Sequence, residues 1–199
     1  MNSKRVLLFI TVLTLVACAT TKQEKMEPVV QLGHSSAAVS VAVSTDSRFV
    51  LSGSDDKTIK LWELSTGREI RTFKGIDSQV TAVAFSPNGQ IALAGYMNGT
   101  LALWEISTGR KIRSLKAHSN WIQEVAFSQD GKKAISGSSS REVKVWKVSS
   151  LEMIRAVKGT WVINQNMSNT TVAFSPDGRF VLLGSLDTQL WDLDRKSVV

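Results

Sequence analysis

The sequence predicts an all-β domain made of four copies of a four-stranded antiparallel unit. Three observations carry this. Trp62, Trp104 and Trp146 stand 42 residues apart, and Trp191 follows 45 later. Phe85, Phe127 and Phe174 mark a second register, with Val43 in the equivalent first slot. The segments STGREIRTFKG, STGRKIRSLKA and SSLEMIRAVKG recur in step with both. A period near 42 is far longer than a coiled-coil heptad. It matches one β-propeller blade, about 40–45 residues.

Each repeat breaks into the same four pieces. VSVAVS, TAVAFS, EVAFS and TVAFS alternate apolar and small residues, and the turn signals TDSR, SPNG, SQDG and SPDG follow directly. They read as a first strand and a tight turn. FVLSGS, IALAGY, AISGS and VLLGS give a second strand, and TIKLWEL, TLALWEI and EVKVWKV a third. The basic-apolar segments named above give a fourth. In the third strand Ile59 and Leu61 face one side while Lys60 and Trp62 face the other, because strand side chains alternate. A blade packs against a neighbour on each side, so both faces carry large apolar groups.

Before the repeats comes a leader. Lys4 and Arg5 precede a 12-residue apolar run, Val6 to Ala17. A spanning helix needs about 20 residues, so the run fits a secretory signal. Its end, Leu15-Val16-Ala17-Cys18, resembles the lipobox of bacterial lipoproteins. That resemblance implies that Cys18 is acylated through its thiol and becomes the first residue after cleavage. It further implies export and anchoring on the periplasmic side of a bacterial membrane, the outer membrane in a diderm, since Ala19 follows the cysteine. Several acyl chains anchor durably at about 0.8 kcal/mol per buried methylene. Cys18 is the one cysteine of the chain, so no internal disulfide is available. Residues 19–27, ATTKQEKME, read as a polar tether. The expected organisation is therefore a signal over 1–17, a tether over 18–27 and a repeat domain over 28–199, with repeats near 33–74, 75–116, 117–158 and 159–199.

The first repeat, from Gly33-His34 through SGSDDKTIKLWEL, resembles the WD-repeat family, and four aligned copies extend the resemblance over roughly 28–199. It implies a WD-type β-propeller. It also implies a hydrogen-bonded set within a blade, here His34, Ser52, Asp56 and Trp62. The other repeats depart from the pattern. Repeat two keeps Trp104 but has Ile76, Ala94 and Asn98 in the His, Ser and Asp slots. Repeat three keeps His118, Ser136 and Trp146 but has Ser140 in the Asp slot. Repeat four keeps Asp187 and Trp191 and has Leu183 in the Ser slot. Blades two and four are accordingly expected to rely on apolar packing.

Closure is left open. The sequence places the third strand of repeat four near the C-terminus and shows no fourth strand after it, while PVVQL at 28–32 resembles a displaced fourth strand. A small closed ring, an open partial propeller and a remnant of a larger propeller all fit. An open arc would expose a blade face and an edge, and would make the chain a homo-oligomer if a second copy covers them.

The family resemblance places partner contacts in the loops entering the first strands and before the turn Asp. These are Ala37, Gln79 and Trp121, then Asp55, Met97, Ser139 and Leu186. Of these, Trp121, Gln79, Asp55 and Met97 are the main candidates, because exposed tryptophans make hot spots. Trp121 and Trp161 each fit either a partner contact or the local core. The net charge of +7 falls to about +5 without Lys4 and Arg5. That excess reads as ordinary solvation, not as a nucleic-acid site. Aligned Arg71, Arg113 and Arg155, and Lys74, Lys116 and Lys158, are expected to form an outer basic belt, which fits docking to anionic lipid or cell-wall polymer but reads more simply as a guard against edge pairing. The sequence suggests no metal set, cofactor motif or nucleophile triad. It reads as a membrane-anchored protein-interaction scaffold and not an enzyme, with a propeller hydrolase or lyase ranked last.

Overall fold

The computed structural model describes residues 33–158, 171–184, 189–193 and 197–198. Every described residue belongs to one compact unit within Gln31–Val199. The leader, Cys18 and the tether therefore lie outside the described residues. Among the described residues, no helix is long and apolar enough to cross a membrane.

The described residues form four separate four-stranded antiparallel sheets, each ordered as the chain runs. Blade 1 comprises β1 (Ala38–Val43), β2 (Phe49–Ser54), β3 (Ile59–Glu63) and β4 (Glu69–Phe73). Blade 2 comprises β5 (Val80–Phe85), β6 (Ile91–Tyr96), β7 (Thr100–Glu105) and β8 (Lys111–Lys116). Blade 3 comprises β9 (Ile122–Phe127), β10 (Lys133–Ser138), β11 (Glu142–Lys147) and β12 (Glu152–Lys158). Blade 4 comprises β13 (Thr171–Phe174), β14 (Phe180–Gly184), β15 (Gln189–Asp192) and β16 (Ser197–Val198).

The same turn joins the first two strands of every blade. In blade 1 the Ser44 hydroxyl donates to Asp46 at 2.6 Å and accepts from the Phe49 amide at 2.9 Å. Ser86-Asn88, Ser128-Asp130 and Ser175-Asp177 repeat it. Short polar side chains satisfy the turn amides locally, which is why these residue types punctuate the repeats. They fix the hairpin register, so the apolar alternation lands on the correct faces.

Successive blades stack through opposite faces. Leu51, Ile59, Leu61 and Phe73 of blade 1 pack on Val80, Val83 and Trp104 of blade 2. Leu93, Leu101 and Leu103 of blade 2 pack on Ile122, Val125 and Trp146 of blade 3. Ile135, Val143 and Val145 then meet Val172 and Val181 of blade 4. The first strands β1, β5, β9 and β13 contact one another in sequence and line the inner side of the stack. Val39, Val41 and Val43 on blade 1 and Leu182 on blade 4 stay exposed, so the described blades form an open arc and not a closed ring.

Blade 4 corrects one expectation. Its fourth strand is supplied by the C-terminal residues, with Trp191 opposite Val198 and Asp192 opposite Ser197. β16 pairs antiparallel with β15. PVVQL at 28–32 is not needed for that role and lies outside the described residues.

Candidate partner-binding groove

The polar residues singled out in repeat one meet. His34 Nδ1 lies 2.9 Å from Asp56 and His34 Nε2 lies 2.7 Å from the Ser52 hydroxyl. Trp62 Nε1 donates to that hydroxyl at 2.7 Å. An ionised Asp56 can only accept, so Nδ1 donates, and Ser52, accepting from Trp62, has its own proton for Nε2. Burial alone would raise the Asp56 pKa. The Thr58 hydroxyl, His34 and the amides of Ser35 and Thr58 outweigh it and hold the carboxyl well below its usual range.

In blade 3, His118 Nε2 lies 2.7 Å from Ser136, and Trp146 Nε1 donates to Ser136 at 2.9 Å. Ser140, in the Asp slot, bonds Ser138 instead. Glu142 takes over, 3.1 Å from His118 Nδ1 and 3.1 Å from Lys144 Nζ. It occupies the slot of Thr58, which in blade 1 also bonds the histidine. Blade 2 holds a partner that the repeat pattern did not reveal. Trp104 Nε1 donates to the Tyr96 hydroxyl at 3.1 Å, fully buried. Its signal in the sequence is that Tyr96 is the single tyrosine, at the end of a core strand, where a buried hydroxyl needs a partner. In blade 4, Trp191 Nε1 donates to Gln189 at 3.4 Å. Asp187 lies outside the described residues. Both histidines thus serve blade construction. Among the described residues, no three of His, Cys, Asp and Glu gather to hold a metal ion.

The functional surface is built by the first strands. β1, β5 and β9 each carry a β-bulge at the same register, which leaves Val39, Thr81 and Gln123 as the extra residues. Bulges re-aim side chains. Here all three line one groove of about 390 Å³, together with Val41, Trp121 and Glu124. Thr81 stitches its floor by donating to the carbonyls of Gly95 and Ile122. Glu124 accepts the Val172 amide at 2.7 Å. Burial pushes the Glu124 carboxyl above the usual range, and that amide bond offsets part of the rise. The wall is therefore apolar at Val39, Val41 and Trp121 and acceptor-bearing at Glu124.

The loop candidates fall at one end of the blades. The Asp55 amide donates to Ala37, that of Met97 to Gln79 and that of Ser139 to Trp121, at 3.0, 2.9 and 3.1 Å. Three successive blades thus present equivalent pairs. Trp121 is 38 % exposed and Met97 47 %, while Gln79 and Asp55 are half-buried. Leu186 and Trp161 lie outside the described residues. On the belt, Arg71 ties blade 1 to blade 2 through the carbonyls of Ser107 and Thr108. A larger cavity of about 580 Å³ opens beside β3 and β4. Its wall shares Asp56 and Thr58 with the blade 1 network, and Lys57 and Lys60 are paired with Asp77 and Glu69.

Repeated four-stranded antiparallel sheets, stacked through their faces with first strands innermost, define a β-propeller repeat protein. The family described as Vps8 beta-propeller matches residues 74–176, just over half of the chain, and that described as WD domain, G-beta repeat matches residues 26–63. The chain belongs to the WD-repeat β-propeller family, whose repeats imply a protein–protein interaction scaffold. Among curated proteins it is similar to the ribosome biogenesis protein BOP1 homolog of Drosophila grimshawi, 46 % identical over 52 residues, which is 26 % of this chain and 7 % of that protein. The Drosophila erecta homolog is 47 % identical over 49 residues, 25 % of this chain and 6 % of that protein. The chain thus spans well under a tenth of the length of these relatives.

Proposed function

We propose that this chain is a non-enzymatic interaction scaffold held at a membrane by lipid on Cys18, with the inner-strand groove and the Trp121 end as its partner-binding surface. Trp121 carries the reading. A large indole stands exposed beside a groove of ligand-pocket size, at the blade end where Met97, Gln79 and Asp55 lie. Aromatic anchors next to concave, partly apolar walls are where binding energy concentrates. The anchoring half rests on Lys4-Arg5, the apolar run and the Leu15–Cys18 sequence. Because the relatives named above are fruit-fly proteins, bacterial export rests on those leader residues alone.

Crosslinked capture from the native membrane tests the scaffold. Trp121→Ala should weaken partner capture by about 30-fold, the loss of a hot spot worth about 2 kcal/mol. Undiminished capture would remove the groove end from the binding surface. Cys18→Ser should release the chain from membranes, and unchanged partitioning would refute the lipid anchor.

A further inference from the structure

We infer that the groove receives a lysine or arginine side chain from an extended segment of the partner protein, with Glu124 as its counter-ion and the Trp121 indole beside its alkyl stem. This rests on the reading of the groove as the partner-binding surface. The chain as a whole is basic, with 24 Lys and Arg against 17 Asp and Glu. Yet the groove wall holds a single ionisable side chain, and it is the carboxylate of Glu124.

The repeats show that Glu124 has more than blade construction needs. Ser40 in blade 1 and Glu124 in blade 3 hold one register position, opposite Gly53 and Gly137 of their second strands. Each accepts an amide of the next blade, from Val83 at 3.1 Å and from Val172 at 2.7 Å. A serine hydroxyl therefore suffices for that bond, and Ala82, at the same position in blade 2, offers no side-chain acceptor at all. Glu124 spends Oε2 on the amide. Its Oε1 has no partner among the described residues and is not sealed from solvent. Burial weighs on Glu69 and Glu142 too, but Lys60 stands 2.5 Å from the first and Lys144 3.1 Å from the second, and both carboxyls stay below their usual range. Glu124 has no such cation among the described residues, and burial leaves its carboxyl raised.

An ammonium or guanidinium brought by the partner completes this site. It donates to Oε1, while its methylene stem lies on the apolar wall and its charge on the face of the indole. A metal ion does not fit, because among the described residues no second acidic or imidazole ligand joins Glu124 on the wall. A free amine would leave bare most of a wall to which the first strands of all four blades contribute, whereas an extended segment reaches along it.

The test presents the full chain to an array of immobilised short peptides of random sequence. Bound peptides should be enriched in Lys or Arg. Non-specific attraction works the other way, since a chain of net charge +7 favours acidic peptides. Exchanging the selected Lys for norleucine, or Arg for citrulline, should weaken binding by about tenfold or more, the loss of a desolvated charge pair. Glu124→Gln keeps an oxygen for the Val172 amide and should erase the preference with an unchanged strand spectrum. Three results overturn the inference: no enrichment in Lys or Arg, equal binding of the uncharged peptides, or a preference that survives Glu124→Gln. Binding that depends on Trp121 but not on Glu124 would sink this inference and leave the groove reading standing, whereas binding that depends on neither would remove both.

Discussion

Trp62 and Trp104 occupy the same place in consecutive blades, yet they live in different surroundings. Trp104 is sealed by Phe73 of the preceding blade, edge to face at 6.1 Å, and is 2 % exposed. Trp62 is only half-buried, flanked by His34 and Lys60 of its own blade. Blade 1 compensates with the fuller polar network, while blade 2 has one hydrogen bond from Trp104 to Tyr96 and an apolar surround. The difference teaches that a WD tryptophan is only as buried as the blade stacked upon it. The largest expected effect follows. Trp104→Ala should cost about 3–5 kcal/mol, as large aromatic deletions in packed cores do. Trp62→Ala should cost less than half of that. Denaturant unfolding of both would show it, and equal losses would break the comparison.

The same contrast holds for the hydroxyls that accept from the indoles. Ser136 is fully buried and serves both His118 and Trp146, so Ser136→Ala strands two buried nitrogens and should cost about 2–3 kcal/mol. Tyr96→Phe removes one acceptor from Trp104 and should cost about 1 kcal/mol. If Tyr96→Phe proved the costlier change, blade 2 would depend on its single bond more than its packing suggests.

Much of this was legible in the residues themselves. The 42-residue spacing of the tryptophans and the Ser-Asx turns show the four sheets, because turn chemistry and periodicity are local properties. His34, Ser52, Asp56 and Trp62 stand out because repeat one follows the family pattern. Glu142 was harder to see because it serves His118 from the Thr58 slot, two residues past Ser140. Tyr96 lies two residues beyond Ala94, so reading the empty Ser slot as a loss of polar bonding overlooked it. The bulges at Val39, Thr81 and Gln123 leave no mark in the alternation, yet they turn these residues into the groove. Likewise β16 is two residues long, too short for any periodic signal.

Acid separates blade 1 from blade 3 with the smallest expected effect. Burial disfavours the imidazolium of His118, and although the Glu142 hydrogen bond pushes back, the pKa stays below its ordinary 6.5. The unfolded chain therefore takes up this proton first as pH falls. The His118 contribution to stability is complete above pH 6.5 and is lost as pH drops through the interval between 6.5 and the lower folded value. Asp56 also has a lowered pKa, from 3.8, so its contribution is complete above 3.8 and is lost only in stronger acid. Glu124 works in the opposite sense just above 4.5, because its raised pKa makes the folded chain hold the proton longer. Subtracting each variant's pH profile from the parent's cancels that contribution. Unfolding midpoints of His118→Gln should track pH less steeply than the parent just below pH 6.5. Those of Asp56→Asn should diverge in slope only below about pH 3.8. A His118→Gln profile parallel to the parent's across that upper interval would mean that the histidine of blade 3 is as readily protonated in the folded blade as in the unfolded chain, and that its burial does not set its charge.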